Sequence, residues 1–386
     1  MTGVRAVIKS RLATRIRRLL YRSVSRRVVY RDELSKHAVQ QYSYGQRSTV
    51  STNVVPAFDG HEEYKQTYSI EPWHIYELPE MILFRPGGTA LTESGDVILE
   101  SAADNVWNLV ERLYHQVKNP QHFSNLVGMY RLMYGQSCPD ISEQYGVVFP
   151  MTYQPYSGYY HWVAEYLPKL RYYERYRQQP GIDPLILVGS NASKWVTESI
   201  EMITDANVMR CPPGPVKVDK LVLPSHYRHH PEDYNPRPEE YRWVREQMVS
   251  SLPETGSSGP ARIYVSREDA TDRRVLNERA VESVLAEFGF EKLVLSELSV
   301  HQQVSIFSQA ETIVGPHGAG LVNMIFAENA DVLELVPENL VFPFYQCLSD
   351  HLGHEYEHLT CELSGTNLVV DPETVREAVA DVLATG

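Results

Sequence analysis

Between residues 261 and 336, short apolar runs and amphipathic stretches take turns with a regularity that few folds can use. Arg262-Ile263-Tyr264-Val265-Ser266, Lys292-Leu293-Val294-Leu295, Thr312-Ile313-Val314-Gly315 and Asp331-Val332-Leu333-Glu334-Leu335-Val336 read as strands. Asn277 to Phe288, Val300 to Ala310 and the stretch entered near Leu321 read as helices. Strands and helices at this spacing imply right-handed crossovers and a parallel sheet covered on both faces. A fainter alternation precedes it: Ser157 to Arg177 helical, Pro184 to Val188 a strand, Ala192 to Ile203 helical, Val216 to Leu223 a strand. Residues 251–260, Ser-Leu-Pro-Glu-Thr-Gly-Ser-Ser-Gly-Pro, have the composition of a linker.

The expected organisation is therefore α/β, with two halves facing a cleft and each holding its own core. A basic arm spans residues 1–31, an α/β domain residues 32–250, the linker residues 251–260, and a second α/β domain residues 261–386. Residues 32–80 read as irregular. Glu80 to Glu100 reads as a hairpin turning at Pro86-Gly87-Gly88, and residues 103–117 as a helix.

The chain has a net charge of −13, yet residues 1–31 hold ten basic side chains and no acidic one. The remainder carries about −23, with 9 Lys against 27 Arg overall. An acidic, lysine-poor body fits a protein kept soluble by hydrated carboxylates, as in a salt-loving cytoplasm. In the arm, Leu12, Ile16 and Leu19 recur at helical spacing beside Arg11, Arg15, Arg17, Arg18 and Arg22. That pattern suits peripheral contact with an anionic membrane face, or packing on the acidic body. Nucleic acid is a poorer partner, because the body repels phosphate and the arm lacks interleaved aromatics.

No 18-residue apolar run and no secretory pattern are present, so the expected location is cytoplasmic. Cys138, Cys211, Cys347 and Cys361 form no C-x-x-C pair and read as free thiols. His226, His229 and His230 lie in a polar loop whose spacing matches no standard metal site.

Three motifs carry chemistry. Gly315-Pro316-His317-Gly318-Ala319-Gly320-Leu321 ends a strand and opens a helix. Its glycines let a ligand approach the backbone, the helix start offers N–H groups to a diphosphate, and His317 adds a donor. No Gly-Lys-Ser/Thr follows, and the turn is not G-x-G-x-x-G. Second, Ser266-Arg267 ends the first strand, followed by Arg273 and by Asn277-Glu278. Arginine offers phosphate a planar fork of donors that stays charged. Third, Tyr160-His161-Trp162 stands with Glu165, and His161 and Glu165 share a helical face. Either could take a proton from an acceptor hydroxyl, and the aromatics suit a sugar ring. A metal bound between the two lacks a third ligand, so no metal is expected.

Together these residues resemble the family 61 glycosyltransferases, which include transferases acting on protein-linked glycans, xylan-decorating enzymes and capsular polysaccharide proteins. The resemblance covers about residues 145–365. It rests on Tyr160-His161-Trp162 with Glu165, on Ser266-Arg267 with Arg273 and Asn277-Glu278, and on Gly315-x-His317-Gly318-Ala319-Gly320-Leu321 with Asn323 and Glu334. Gly158 departs from it, because many members carry a polar residue there. The resemblance implies a GT-B-like pair of Rossmann-like domains and inversion at the anomeric carbon. It also implies a nucleotide-sugar donor, expected to be UDP-linked, with a glycan or lipid-linked acceptor. His161 or Glu165 then supplies the base, and Ser266, Arg267, Arg273, His317, Gly318, Ala319 and Gly320 hold the diphosphate. Two rivals remain: a non-catalytic sugar-binding protein, and an NAD-dependent oxidoreductase, which the missing dinucleotide turn disfavours.

Overall fold

The computed structural model describes residues 2–51, 67–84, 88–101, 106–118, 120–136, 141, 143–152, 158–212, 214–225, 237–253, 259–340 and 344–385. Outside them fall Pro86-Gly87, the loop histidines 226, 229 and 230, most of the linker glycines and serines, and Cys138.

The first sheet contains β1 (Val28–Val29), β2 (Gln40–Tyr44), β3 (Trp73–Phe84), β4 (Thr89–Leu91) and β5 (Val97–Ile98). It continues with β6 (Glu143–Met151), β7 (Leu185–Val188), β8 (Val208–Arg210) and β9 (Val216–Pro224). Their order is β1-β5-β4-β3-β9-β6-β7-β8, with β2 also on β3. β9-β6-β7-β8 run parallel, as do β1 and β5, whereas β3 pairs antiparallel with β2, β4 and β9 and β4 with β5. The first half is thus a mixed sheet that contains a parallel run, within the α/β class expected. The described residues of 32–80 are not irregular: β2, most of β3 and a hairpin of Ser48–Ser51 with Thr67–Ile70 lie among them, while residues 52–66 fall outside the described residues. The polar residues of β2 hid it, since it is an exposed strand with little alternation to read.

The second sheet holds β10 (Arg262–Val265), β11 (Glu291–Leu293), β12 (Thr312–Pro316), β13 (Asp331–Pro337), β14 (Glu355–Ser364) and β15 (Asn367–Val369). The order is β11-β10-β12-β13-β14-β15, parallel except for the last pair. Alternation along β10 sends Ile263 and Val265 to one face and Tyr264 to the other. On the Tyr264 face lie α7 (Glu278–Glu287) and α10 (Pro372–Thr385). On the other lie α8 (Val300–Phe307), the 3₁₀ helix Ala319–Phe326 and α9 (Phe344–Leu352). Ser299 opens α8 through a capping box with Gln302, which satisfies two otherwise orphaned N–H groups.

Those helices also meet the first half. One core cluster runs from Trp73, Phe149 and Ile186 to Ile263, Ile313 and Val332. It passes through α4 (Lys169–Arg177), α5 (Lys194–Glu201) and α6 (Pro238–Ser250). The two sheets therefore share a helical layer with a continuous core.

Glu240, in the first turn of α6, lies in that layer. It accepts a hydrogen bond from the Tyr172 hydroxyl at 2.7 Å and faces Arg237 Nε at 3.7 Å. Burial pushes its carboxyl up to about 8, from an ordinary 4.5. Between those values the folded protein holds a proton that the unfolded chain releases. This contribution is full below about pH 4.5 and is lost as pH rises through about 8. Glu240→Gln is expected to flatten the decline of Tm between about pH 5 and 8. Equal slopes in thermal melts of the two proteins would show that the carboxyl is ionised throughout.

Helix α1 (Thr2–Val24) packs on α2 (Val106–Lys118), which packs in turn on α3 (Pro120–Met133). The buried row is Leu20 and Val24 with Ala13 and Ile16 alongside, one i,i+4 line on the helix. Leu19, expected on that stripe, is exposed instead. Arg17 pairs with Glu111 at 2.6 Å, while Arg15, Arg18, Arg22 and Arg26 face outward. No helix among the described residues is long and apolar enough to cross a membrane.

Candidate active site

Strands β10 and β12 are neighbours at the point where strand order reverses, and in open parallel sheets ligands bind beyond the carboxyl ends there. β10 delivers Ser266 and Arg267; β12 delivers His317 and Gly318. A Cβ placed on Gly318 would overlap the Arg267 guanidinium, so only glycine lets that side chain lie across the loop. Arg267 Nη2 donates to the Asp272 carbonyl at 2.9 Å, while its buried Nε has no partner among the described residues. Arg273 Nε is in the same condition. Arg273 adopts φ +56°, held by its N–H on the Thr366 carbonyl at 2.8 Å, a left-handed conformation costing about 1–2 kcal/mol. Burial first, and the Arg273 cation second, hold Arg267 below the ordinary guanidinium value. Two crowded cations with spare buried donors call for an anion.

Two cavities meet at Gly318. One, of about 300 Å³, is lined by Ser266, Arg267, Gly318 and Gly320, with Leu295 and Gln303 from the second half and Tyr159 and Trp195 from the first. The other, of about 230 Å³, is lined by Tyr160, His161, Arg273, His317, Gly318, Ala319, Phe344 and Tyr345. The smaller cavity thus receives a histidine from each half.

Both histidines are set by carboxylates. His161 Nδ1 lies 2.7 Å from Glu165 Oε1, and His317 Nδ1 lies 2.5 Å from Glu334 Oε1. Glu334 Oε2 also accepts from the Tyr356 hydroxyl at 2.5 Å. With Nδ1–H donating to a carboxylate, Nε2 of each neutral ring is left to accept or pass a proton. The exposures differ between the partners: the His161 side chain is 41% exposed and that of Glu165 2%. Glu165 sits in the π-helical segment Trp162–Tyr166, a bulge that follows the helical turn Tyr159–His161.

The remaining expected residues serve the frame. Ser266 Oγ donates to Glu278 Oε1 at 2.7 Å, and Glu278 also takes Tyr264 and Lys292. Asn277 clamps the backbone of Val370, donating at 2.6 Å and accepting at 3.1 Å. Trp162 is fully buried and donates to Ser199 at 2.8 Å, so its ring packs in the core, not against a sugar as its aromatic character suggested. Asn323 is buried between Tyr159 and Gln303. Tyr159 stood in the aromatic motif from the sequence but without a role of its own, and Trp195, Leu295, Gln303, Phe344 and Tyr345 were passed over, because nothing local distinguishes a cavity wall from a core residue. Among the described residues no group of three His, Cys, Asp or Glu side chains is placed to hold a metal ion.

Gly318→Ala is expected to displace Arg267 and weaken binding of an anion at the loop about tenfold or more, the scale of one charge-assisted contact. Calorimetric titration with pyrophosphate checks this; unchanged affinity would mean that Arg267 takes no part.

Residues 159–333 match the family model Glycosyltransferase 61, from the first residue of the His161 turn to the residue before Glu334. No curated protein matches the chain.

Proposed function

With residues 159–333 a family 61 glycosyltransferase domain, and the protein accordingly a transferase, we propose that it moves a sugar from a UDP-linked donor to a glycan or lipid-linked hydroxyl. The transfer inverts the anomeric carbon, in a GT-B-type arrangement of the two halves. The observation that carries this reading is Gly318 shared by two cavities, with Arg267 in one and Arg273, His161 and His317 in the other. A donor spanning them places its nucleoside in the larger, its diphosphate on Gly318 and the arginines, and its sugar in the smaller.

In the reaction the acceptor oxygen forms a bond to the anomeric carbon as the bond to the diphosphate oxygen breaks. His161 Nε2 takes the acceptor proton, and Glu165, buried behind the ring, fixes its tautomer and stabilises the imidazolium that forms. The electron pair leaves with the diphosphate. Arg267, Arg273 and the N–H groups opening the 3₁₀ helix meet that charge, and His317 joins them only as an imidazolium, with Nδ1–H on Glu334 and Nε2–H toward the diphosphate. Fixed cations take the role a metal would otherwise fill.

A thermal-shift screen with UDP, GDP, CDP, dTDP and NAD, each with and without divalent cation, tests the reading. UDP is expected to raise Tm without metal; at about 100 times Kd a ligand adds about 2.7 kcal/mol. A shift with NAD alone, or with none of them, would count against the proposal.

The outward row Arg15, Arg18, Arg22 and Arg26 supports a peripheral position at the cytoplasmic membrane face, where a lipid-linked acceptor would lie. Replacing the four by Ser is expected to abolish co-sedimentation with phosphatidylglycerol vesicles, since each contributes about 1 kcal/mol near an anionic surface. Equal sedimentation of both proteins would remove the arm from this reading.

A further inference from the structure

The helical turn Tyr159–His161 looks into both cavities: Tyr159 lines the larger, and Tyr160 and His161 line the smaller. The turn belongs to the first half of the chain, whereas the donor phosphates are assigned to the second. Some contact must fix the distance between the proposed base and a donor held by the other half. An error of about 1 Å in such a distance is enough to cost about 10²-fold in rate.

One buried chain of hydrogen bonds makes that connection. The Tyr159 hydroxyl donates to Asn323 Oδ1 at 2.8 Å, and lies 3.4 Å from Gln303 Oε1. Asn323 Nδ2 donates to Gln303 Oε1 at 2.7 Å. Gln303 Nε2 in turn donates to the carbonyls of Leu295 and Leu298, at 2.9 and 3.1 Å. Asn323 is fully buried in the 3₁₀ helix that follows Gly318, and Gln303 is buried in α8. Leu295, at the far end of the chain, is itself a wall of the larger cavity and packs where a Cβ on Gly320 would stand. The Tyr159 ring meets Trp195, another wall, edge-on at 5.4 Å. Each link therefore joins the His161 turn to the surface that would hold the nucleoside.

We propose that Tyr159 is a positioning residue, its hydroxyl registering the His161 turn against the donor-binding half through Asn323 and Gln303. Asn323 and Gln303 form the bridge, and neither touches the reacting atoms. Burial raises the Tyr159 phenol above its ordinary value, so the hydroxyl stays a donor across the working pH range. Its loss should leave the pH dependence of the reaction where it was. The inference rests on the donor reading given above.

Tyr159→Phe keeps the ring against Trp195 and removes only the hydroxyl. The probe is whichever of UDP, GDP, CDP and dTDP gives the largest thermal shift, with its glucose conjugate and others of that nucleotide as donors. The variant is expected to bind the diphosphate within about twofold of the parent and keep its donor KM. It should lose about tenfold in kcat, less than the roughly 10²-fold that a full 1 Å misplacement of the base would cost. In an Asn323→Ala background the same change should cost little more, because the bridge is already broken. A fall in diphosphate affinity with kcat unchanged would make Tyr159 a pocket wall and overturn the proposal. A lowered Tm with kcat and KM both unchanged would make the bridge a stabilising contact only, and would equally overturn it. Absence of diphosphate binding in the parent protein would overturn the donor reading itself, and is distinguished by needing no variant.

Discussion

Arg267→Ala is expected to lower turnover roughly 10²- to 10³-fold, the scale of removing one preorganised donor from a developing negative charge. The position is unusual in how much of the loop is arranged around it. Gly318 leaves room for the guanidinium, Asp272 offers a carbonyl to one nitrogen, and Nε remains buried without a partner among the described residues. A half-buried cation beside a second cation costs stability, and burial first and Arg273 second hold Arg267 below the ordinary guanidinium value. Truncation should therefore leave Tm unchanged or raise it while activity collapses. Stability and catalysis moving in opposite directions separate a binding role from a structural one. Near-normal kcat/KM in the alanine variant would refute the placement of the leaving diphosphate on Gly318.

Replacing His161 by Ala is the second large effect, roughly 10²- to 10⁴-fold in kcat, the range of a general base. Donor KM should change little, because the diphosphate contacts are elsewhere. The removed ring lies at the mouth of the smaller cavity, so added imidazole is expected to recover part of the activity. Glu165→Gln should cost less, since the amide can still orient the ring but cannot stabilise the imidazolium. If Glu165→Gln proved the more damaging of the two and imidazole had no effect, the carboxylate would be the base. Its 2% side-chain exposure makes that outcome unexpected.

The sequence disclosed the second half of the fold better than the first. β10, β12 and β13 are apolar runs bounded by turns, and such runs read the same way in isolation as in the sheet. β14 was not read because polar and half-buried residues dominate it, and its parallel pairing with β13 is what makes it a strand. β6 escaped for a related reason: Gly146 and Pro150 interrupt its pattern, and only its last four residues are buried. In the first half, the antiparallel attachment of β2, β4 and β9 to β3 depends on contacts distant in sequence.

At the site, residue types were legible and their partners were not. His317, Gly318, Arg267 and Arg273 announce an anion site by composition, and His161 with Glu165 announces a paired base by helical spacing. The sequence could not say that Glu334 stands behind His317, that Trp162 is spent in the core, or that Asn277 holds the backbone of Val370.

By itself the sequence determined the α/β class, the strand-to-helix loop at Gly318 and the cationic and glycine residues gathered around it, because local periodicity and side-chain chemistry are properties of short segments. Only the tertiary structure decided that the two halves share a core, that His161 and His317 line one cavity, and that Arg267 lies on Gly318. Parallel crossovers bring the carboxyl ends of distant strands to one rim, and which side chains then meet depends on packing that no local pattern encodes.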